Sequence, residues 1–192
     1  EKGEPDIAPE LWTNGLGPLL KPAVEEGRIA SAGESIAGGA IESLWIPKYM
    51  LDAHPELATI DGVIANPQLF PDPEDPSKGA LYGCPAGWNC QITTHQLFKA
   101  GDMANKGWNL IDPGSGAGLA GSMSEAYNKG DGWIGYYWGP TAILGQVEMV
   151  QVDQGPYDAA EWERCIGIDM DCPDPVMMNH PVSTVEIYVS KK

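Results

Sequence analysis

Two cysteines enclose a turn in the stretch Gly83-Cys84-Pro85-Ala86-Gly87-Trp88-Asn89-Cys90, which continues as Gln91-Ile92-Thr93-Thr94-His95-Gln96-Leu97. Pro and Gly favour the turn, and a disulfide between the two cysteines would close it. The residues that follow are typical of a short helix that ends at Gly101. Trp88 would then lie at a helix N-terminus, where backbone N–H groups attract an anion and the indole face attracts a cation. The stretch therefore predicts a site for both ends of a zwitterion, and the alternative is a structural hairpin with Trp88 in the core.

The composition narrows the classes of partner. The chain has 192 residues, enough for one large domain or one and a half small ones, and a formal net charge of −16. Such an acidic chain is not expected to bind nucleic acid or an anionic membrane surface, because little in it neutralises phosphate groups. Apolar segments recur throughout, so the charge does not indicate disorder. The sequence has no long apolar run, and no segment is expected to insert into a membrane.

The four cysteines form two near-neighbour pairs, Cys84/Cys90 and Cys165/Cys172. Two local disulfides are the simplest of the three possible connectivities, and they favour an oxidising compartment such as a periplasm. Four free thiols in a cytosolic protein are the alternative, and zinc is a weaker one, because neither pair has the spacing of a zinc ribbon. The chain opens on Glu1-Lys2-Gly3-Glu4 without a signal peptide, so either one was removed or the chain is a piece of something longer.

Strands and helices alternate along the chain, which indicates an α/β architecture. Strands are predicted at Ile7–Glu10, Arg28–Glu34, Gly107–Asp112, Asp131–Trp138, Val147–Val152 and Val185–Val189. Helices are predicted at Leu19–Glu26, from Pro47, from Pro55, after Cys90, and between the turn at Gly116 and Gly130. The last strand needs neighbours, and only the first two strands suit it, so both ends of the chain are predicted to share one sheet. We expect residues 1–36 to be part of a first lobe, 37–178 a second, ligand-binding lobe, and 179–192 a strand returning to the first.

Two further tryptophans follow predicted strands. Trp138 lies in Gly135-Tyr136-Tyr137-Trp138-Gly139-Pro140, and the Gly-Pro pair predicts a rim position at the carboxyl end of its strand, where ligands of α/β sheets collect. Trp133, Tyr136 and Tyr137 are expected to be core residues. Trp12 follows the first strand. With Trp88 this makes three rings that could form a cage for a quaternary ammonium group, each face contributing about 0.5–2 kcal/mol.

The remaining motifs were compared with known cofactor and metal sites. Gly116–Gly121 matches the dinucleotide fingerprint G-x-G-x-x-G after a strand, so a dinucleotide-dependent enzyme is an alternative. Gly121 falls inside the helix, however, which favours a tight strand-to-helix turn instead. The three histidines, His54, His95 and His180, form no metal motif, and no catalytic residue or cofactor is predicted. A purely structural extracellular module with buried tryptophans is a third alternative.

The sequence resembles the periplasmic substrate-binding proteins of glycine betaine/proline betaine (quaternary ammonium) ABC transporters. The resemblance spans nearly the whole chain and rests on five motifs: Asp6-Ile7-Ala8-Pro9-Glu10-Leu11-Trp12, Cys84-Pro85-Ala86-Gly87-Trp88-Asn89-Cys90, Pro113-Gly114-Ser115-Gly116-Ala117-Gly118-Leu119, Gly135-Tyr136-Tyr137-Trp138-Gly139-Pro140-Thr141 and Pro181-Val182-Ser183-Thr184. It implies a type II periplasmic-binding-protein-like α/β lobe, with a mixed, mostly parallel central sheet flanked by helices, beside an incomplete first lobe.

The same resemblance implies a non-enzymatic solute-binding protein in the periplasm, whose partner is a membrane permease. Trp12, Trp88 and Trp138 would surround the quaternary ammonium group, and the N–H groups of Asn89 and Cys90 would bind the carboxylate. A choline- or carnitine-binding relative is the nearest alternative. Two positions depart from the family: Asn89 stands where Gly is common, and Leu16 stands where some relatives have a carboxylate-binding His.

Overall fold

The chain divides into two units in a computed structural model that describes residues 6–167 and 170–191, with only the backbone described at 15–19. The first unit comprises the described residues of Glu1–Glu42 and Pro181–Lys192, and the second comprises those of Ser43–His180. The opening Glu1-Lys2-Gly3-Glu4 lies outside the described residues. The lobe boundaries expected near residues 36 and 178 stay a prediction.

The described residues form strands and helices in alternation. The strands are β1 (Ile7–Trp12), β2 (Ile29–Glu34), β3 (Ile41–Pro47), β4 (Gly79–Tyr82), β5 (Trp108–Ile111), β6 (Gly135–Gly139), β7 (Met149–Gln151) and β8 (Val185–Ser190). The helices are α1 (Thr13–Glu25), α2 (Lys48–Ala53), α3 (Ile60–Ile64), α4 (Cys90–Ala100), α5 (Gly116–Lys129) and α6 (Ala159–Glu161). Short 3-10 turns lie at Pro55–Ala58, Pro67–Leu69, Ala104–Lys106 and Ile143–Gly145, and a π-helical turn lies at Trp162–Ile166. None of the helices among the described residues has the length and apolar character that a membrane crossing needs.

The first unit is built on an antiparallel sheet in which β8 lies between β1 and β2. Val189 pairs with Ile7 on one side and with Ala30 on the other, so the prediction that both chain ends share a sheet is confirmed. The helix predicted at Leu19–Glu26 begins six residues earlier: α1 starts at Thr13, whose N–H and hydroxyl both donate to the Thr184 carbonyl at 3.0 Å. Gly and Pro lower the intrinsic helix propensity of this segment, so the local sequence did not indicate the early start.

The second unit has a mixed sheet of strand order β5-β4-β6-β3-β7. β4 runs parallel to both β5 and β6, whereas β3 and β7 are antiparallel. The expected mixed and mostly parallel sheet is therefore present. The predictions missed β3 and β4. β4 has the weak strand sequence Gly-Ala-Leu-Tyr, and β3 lies between the lobe boundary expected near residue 36 and the helix expected from Pro47. The helix expected from Pro55 is interrupted at Thr59, whose side chain accepts from the Gly62 N–H to start α3.

Buried aromatic and aliphatic side chains fill the space around this sheet. Trp133, Tyr136 and Tyr137 are buried, so both faces of the chain at β6 are covered and their predicted place in the core is confirmed. The buried indoles of Trp133 and Trp108 donate to the Ser122 hydroxyl and the Ile64 carbonyl, each at 3.1 Å. Leu119 and Met123 of α5 are buried as well. These contacts pack the sheet from which the loops after the parallel strands extend.

Both predicted disulfides are formed, Cys84–Cys90 and Cys165–Cys172, with Cα–Cα distances of 5.5 and 5.4 Å. Cys165 of the second disulfide lies in the π-helical turn that comes after α6. Close to it, a small apolar cluster consists of Leu97, Trp162, Ile166 and Met178. This cluster packs the π-helical turn against Leu97 of α4.

Candidate functional site

Three adjacent parallel strands end at one edge of the second unit's sheet. β4 leads into the Cys84–Cys90 loop, β5 leads through Pro113–Ser115 into α5, and β6 ends at Trp138 and Gly139. Because parallel strands have their carboxyl ends at the same edge, residues from three separate stretches of sequence meet there. Trp88, Gly116 and Trp138 come into contact in this way.

Hydrogen bonds hold the Cys84–Cys90 loop on the first turn of α4. The Trp88 N–H donates to the Pro85 carbonyl at 3.2 Å, and the Gly87 N–H donates to the Gln91 side chain at 3.1 Å. Gly87 has a φ of 85°, in the left-handed region that favours glycine. The loop leaves the Trp88 side chain 44% exposed, so the alternative in which Trp88 is a core residue is wrong.

The Trp88 and Trp138 rings touch in an edge-to-face arrangement. Their centroids lie 5.4 Å apart and their planes meet at 67°. The Tyr137 ring stacks against Trp138 at 4.5 Å and 23°, and the Tyr137 carbonyl accepts from the indole of the buried Trp45 at 3.0 Å. Burial raises the pKa of Tyr137, so this ring is neutral at physiological pH. A firmly backed Trp138 thus faces a more exposed Trp88, and together they present aromatic surface that suits a cation.

Two helix N-termini flank this pair of rings, because α4 begins at Cys90 and α5 at Gly116. Neither helix has an acidic residue in its first turn. Within the described ranges, the N–H groups of Asn89 and Cys90 reach no acceptor, and Asn89 caps α4 without a side-chain hydrogen bond to it. Unpaired N–H groups and the positive end of the helix dipole attract an anion. This attraction is local, since the chain as a whole carries a charge of −16.

The Asn89 side chain turns toward the second disulfide segment. Its Nδ2 donates to the Gly167 carbonyl at 3.4 Å. The Asn89 side chain is therefore directed to Gly167 and makes no capping hydrogen bond to α4. The backbone role predicted for Asn89 is compatible with the geometry and stays a prediction.

Trp12 belongs to the first unit. It is the last residue of β1, which extends two residues beyond the predicted end at Glu10, and it pairs with Val185 of β8. The half-buried indole donates to the Glu10 carboxylate at 3.0 Å. Its part in ligand binding stays a prediction from the sequence.

The glycines of the Gly116–Gly121 motif have three different surroundings. A Cβ at Gly116 would lie 2.9 Å from the Trp88 ring, and a Cβ at Gly118 would lie 2.3 Å from the Pro113 carbonyl oxygen. A Cβ at Gly121 would meet nothing within 4 Å. The third glycine of a dinucleotide fingerprint serves close packing of helix on strand, so the motif does not fit that site. Among the described residues, no group of three or more His, Cys, Asp or Glu side chains could hold a metal ion.

Sequence reasoning missed Gly116 and Tyr137 as parts of this site. Tyr137 was expected in the core, and it is buried there, but it also backs Trp138. Gly116 was explained by the tight turn alone. Only the spatial order β5-β4-β6 brings it under Trp88, and no local pattern of residues carries that information.

A family model described as the substrate binding domain of the ABC-type glycine betaine transport system matches residues 1–192. No protein with a curated description matches the sequence.

Several solved structures share the fold at low sequence identity. The glycine betaine/L-proline-binding protein ProX from Borrelia burgdorferi matches with a TM-score of 0.64 and 14% identity, over 96% of this chain and 56% of that one. Lactococcal OpuAC, in its closed conformation complexed with glycine betaine, matches with a TM-score of 0.62 and 14% identity. The match covers 97% of this chain and 58% of that one. An ABC-transporter choline-binding protein in complex with choline matches with a TM-score of 0.58 and 15% identity. The match covers 97% of this chain and 55% of that one.

These similarities place the fold among type II periplasmic binding proteins. The chain spans slightly more than half the length of each of the three.

Proposed function

The chain belongs to the family of substrate-binding domains of ABC-type glycine betaine transport systems, and we propose that it binds a small zwitterion with a quaternary ammonium group and a carboxylate, as in glycine betaine or proline betaine. Members of this family bind solutes for transport outside the cytoplasm and are not enzymes. The observation that carries the proposal is the contact between the Trp88 and Trp138 rings beside the open N-terminus of α4.

The aromatic pair supports the cationic half of the ligand. A quaternary ammonium group has no N–H and cannot be held by hydrogen bonds, so aromatic faces are its natural partners. Rings whose centroids are 5.4 Å apart touch each other, so the cation would lie against the pair rather than between the two faces. Each ring would contribute about 0.5–2 kcal/mol, and more as water is excluded.

The α4 N-terminus supports the anionic half. The N–H groups of Asn89 and Cys90 immediately follow Trp88 in sequence, so one loop brings cation and anion partners close together. A carboxylate that accepts these hydrogen bonds would gain a charge-assisted interaction, which is stronger than a neutral one. Choline has a hydroxyl in place of the carboxylate, so its hydrogen bonds with these N–H groups would be weaker. A choline ligand remains the second candidate, because one structure of the same fold is described as a choline-binding protein with choline bound.

The setting in the whole protein is part of the proposal. We infer that the loaded protein delivers its ligand to the permease of an ABC importer, and that it works in the periplasm or at the outer face of the membrane. Two disulfides agree with such an oxidising compartment. Trp12 stays a predicted ligand-binding residue on the evidence of its sequence position.

Calorimetric titration of the full-length protein with glycine betaine and with choline, at matched salt, tests the proposal. We expect micromolar binding of glycine betaine, weaker binding of choline, and at least tenfold weaker betaine binding in both Trp88→Ala and Trp138→Ala, a loss of about 1.4 kcal/mol. Tyr157→Ala is the matched control, since Tyr157 is 43% exposed and Trp88 is 44% exposed.

Three outcomes would change the proposal in different ways. Preference for choline would keep the aromatic pair and remove the carboxylate role of Asn89 and Cys90. Unchanged betaine affinity in both tryptophan variants would remove the aromatic pair. Absence of binding by either ligand would reject glycine betaine and choline as ligands of this site.

A further inference from the structure

Gly116 lies directly against the exposed ring of the aromatic pair. A Cβ added to Gly116 would be 2.9 Å from Cη2 and 3.4 Å from Cζ2 of Trp88, and 3.8 Å from Cη2 of Trp138. The first of these distances is shorter than real Cβ contacts allow. The present position of the Trp88 ring therefore depends on the absence of a side chain at residue 116.

The backbone does not explain this glycine. Gly116 is the first residue of α5 and does not have a positive φ, so an alanine could adopt the same conformation. The helix start is already capped, because the Ser115 hydroxyl accepts from the Gly118 N–H at 3.0 Å. A helical glycine is less favourable than alanine, since it loses more conformational freedom on folding. The contact with Trp88 is the feature of this position for which glycine is required.

The nearby glycines of the same helix differ in what surrounds them. Gly118 is packed against the Pro113 carbonyl, so its small size serves the turn itself. A Cβ at Gly121 would have no atom within 4 Å, and this residue does not contact the aromatic pair. Gly121 is thus a matched control for Gly116 in the same helix.

We propose that Gly116 is a positioning residue that sets how closely Trp88 approaches Trp138, and thereby shapes the aromatic surface offered to the ligand's quaternary ammonium group; this rests on the function proposed above. Trp88 is the partner that would yield to a side chain at residue 116. It is 44% exposed on a loop, whereas Trp138 is backed by the buried Tyr137 at 4.5 Å. A ring displaced by even a few tenths of an ångström changes its angle to the second ring and its contact with the cation.

The test compares Gly116→Ala with Gly121→Ala in the full-length protein. Both changes should leave the unfolding temperature unchanged or higher, because alanine favours a helix. Gly116→Ala should weaken glycine betaine binding by about fivefold or more, within the range of a lost cation–π contact. Gly121→Ala should bind as the unaltered protein does. Weaker binding with unimpaired stability is a result that a merely structural glycine would not give.

A ligand-free readout separates this inference from the proposed function. Coupling between the Trp88 and Trp138 rings contributes to the near-UV circular dichroism, and the difference between the unaltered protein and Trp88→Phe gives the contribution of Trp88, this coupling included. Gly116→Ala should change that contribution, and Gly121→Ala should preserve it. If the unaltered protein binds no quaternary ammonium compound, the proposed function fails while the spectra still test the seating of Trp88. An unchanged spectrum in Gly116→Ala overturns the inference, as does unchanged affinity in a protein that binds.

Discussion

The second unit has two loops closed by disulfides, and the tryptophans beside them differ in exposure. The paired cysteines are six positions apart in the Cys84–Cys90 loop and seven apart in the Cys165–Cys172 loop. Trp88, inside the first loop, is 44% exposed, whereas Trp162, just before the second, is 6% exposed. Covalent closure holds a loop in place in both cases, and the surrounding side chains decide whether its tryptophan packs or remains available.

The two loops are also held by different interactions. The first contains no charged residue, and its backbone is held by uncharged groups such as the Gln91 amide and the Thr94 hydroxyl. The second is surrounded by charge: Arg164 donates to Glu161 at 2.6 Å and to Asp174 at 3.0 Å. Lys99 of α4 donates to the Cys172 carbonyl at 2.7 Å. Uncharged support around the first loop leaves no fixed charge within it to compete for a zwitterion.

A hydrogen bond from the Asn89 side chain to the Gly167 carbonyl joins the two loops. The second loop therefore supports the first from the side of the α4 N-terminus. This division predicts that changes to the second loop act mainly on stability and changes to the first act mainly on binding.

The largest expected effect is on stability, from Trp162→Ala. The side chain is buried in contact with Leu97, Ile166 and Met178, so its removal should lower the free energy of unfolding by about 3–5 kcal/mol. Trp88→Ala should change the same quantity by roughly 0.5 kcal/mol or less, as exposed positions do. Urea unfolding followed by far-UV circular dichroism measures both. Equal losses in the two variants would show that the exposed ring is also structural, and would break the comparison.

The sequence predicted this contrast only in part. Proline, glycine and cysteine spacing identified the first loop, both disulfides and the helix that follows Cys90, because turn chemistry and covalent geometry act over a few residues. The shared sheet at the chain ends was also predictable, since a terminal strand needs a partner and few strands suited it. Burial of Trp133, Tyr136 and Tyr137 followed from the aromatic run around β6.

The rest depends on contacts between distant residues. β4 was missed because Gly79-Ala80-Leu81-Tyr82 has weak strand propensity, and its place between β5 and β6 is set by pairing on both sides. That pairing brings Gly116 to Trp88, so the local sequence could explain Gly116 only as a turn residue. The early start of α1 likewise depends on Thr13 and Thr184, which lie 171 positions apart.

A second, smaller loss of stability is expected when either disulfide is removed. The two bonds close loops of similar length, so Cys84→Ala/Cys90→Ala and Cys165→Ala/Cys172→Ala should each lose about 2–2.5 kcal/mol of stability in the chain-entropy model. Only the first pair should also weaken glycine betaine binding, since it holds Trp88 and the N–H groups of Asn89 and Cys90. Thermal unfolding and calorimetric titration of both variants make the test. Loss of affinity in the second variant alone would reverse the roles assigned to the two loops.

The smallest expected effect is a difference in how the unfolding temperature responds to salt. It separates the charged groups that hold the second loop from the uncharged groups that hold the first. Arg164→Met keeps much of the aliphatic stem and removes the ion pairs with Glu161 and Asp174, which raise the pKa of this guanidinium. Gln91→Met removes the hydrogen bond from the Gly87 N–H without changing any charge. Ion pairs between exposed groups weaken as the Debye length falls from about 30 Å at 0.01 M salt to about 3 Å at 1 M. The drop in unfolding temperature caused by Arg164→Met should therefore shrink as salt is raised, and the drop caused by Gln91→Met should not. A salt-independent loss in both variants would mean that geometry, rather than charge, secures the second loop, and the two loops would then differ only in which tryptophan they expose.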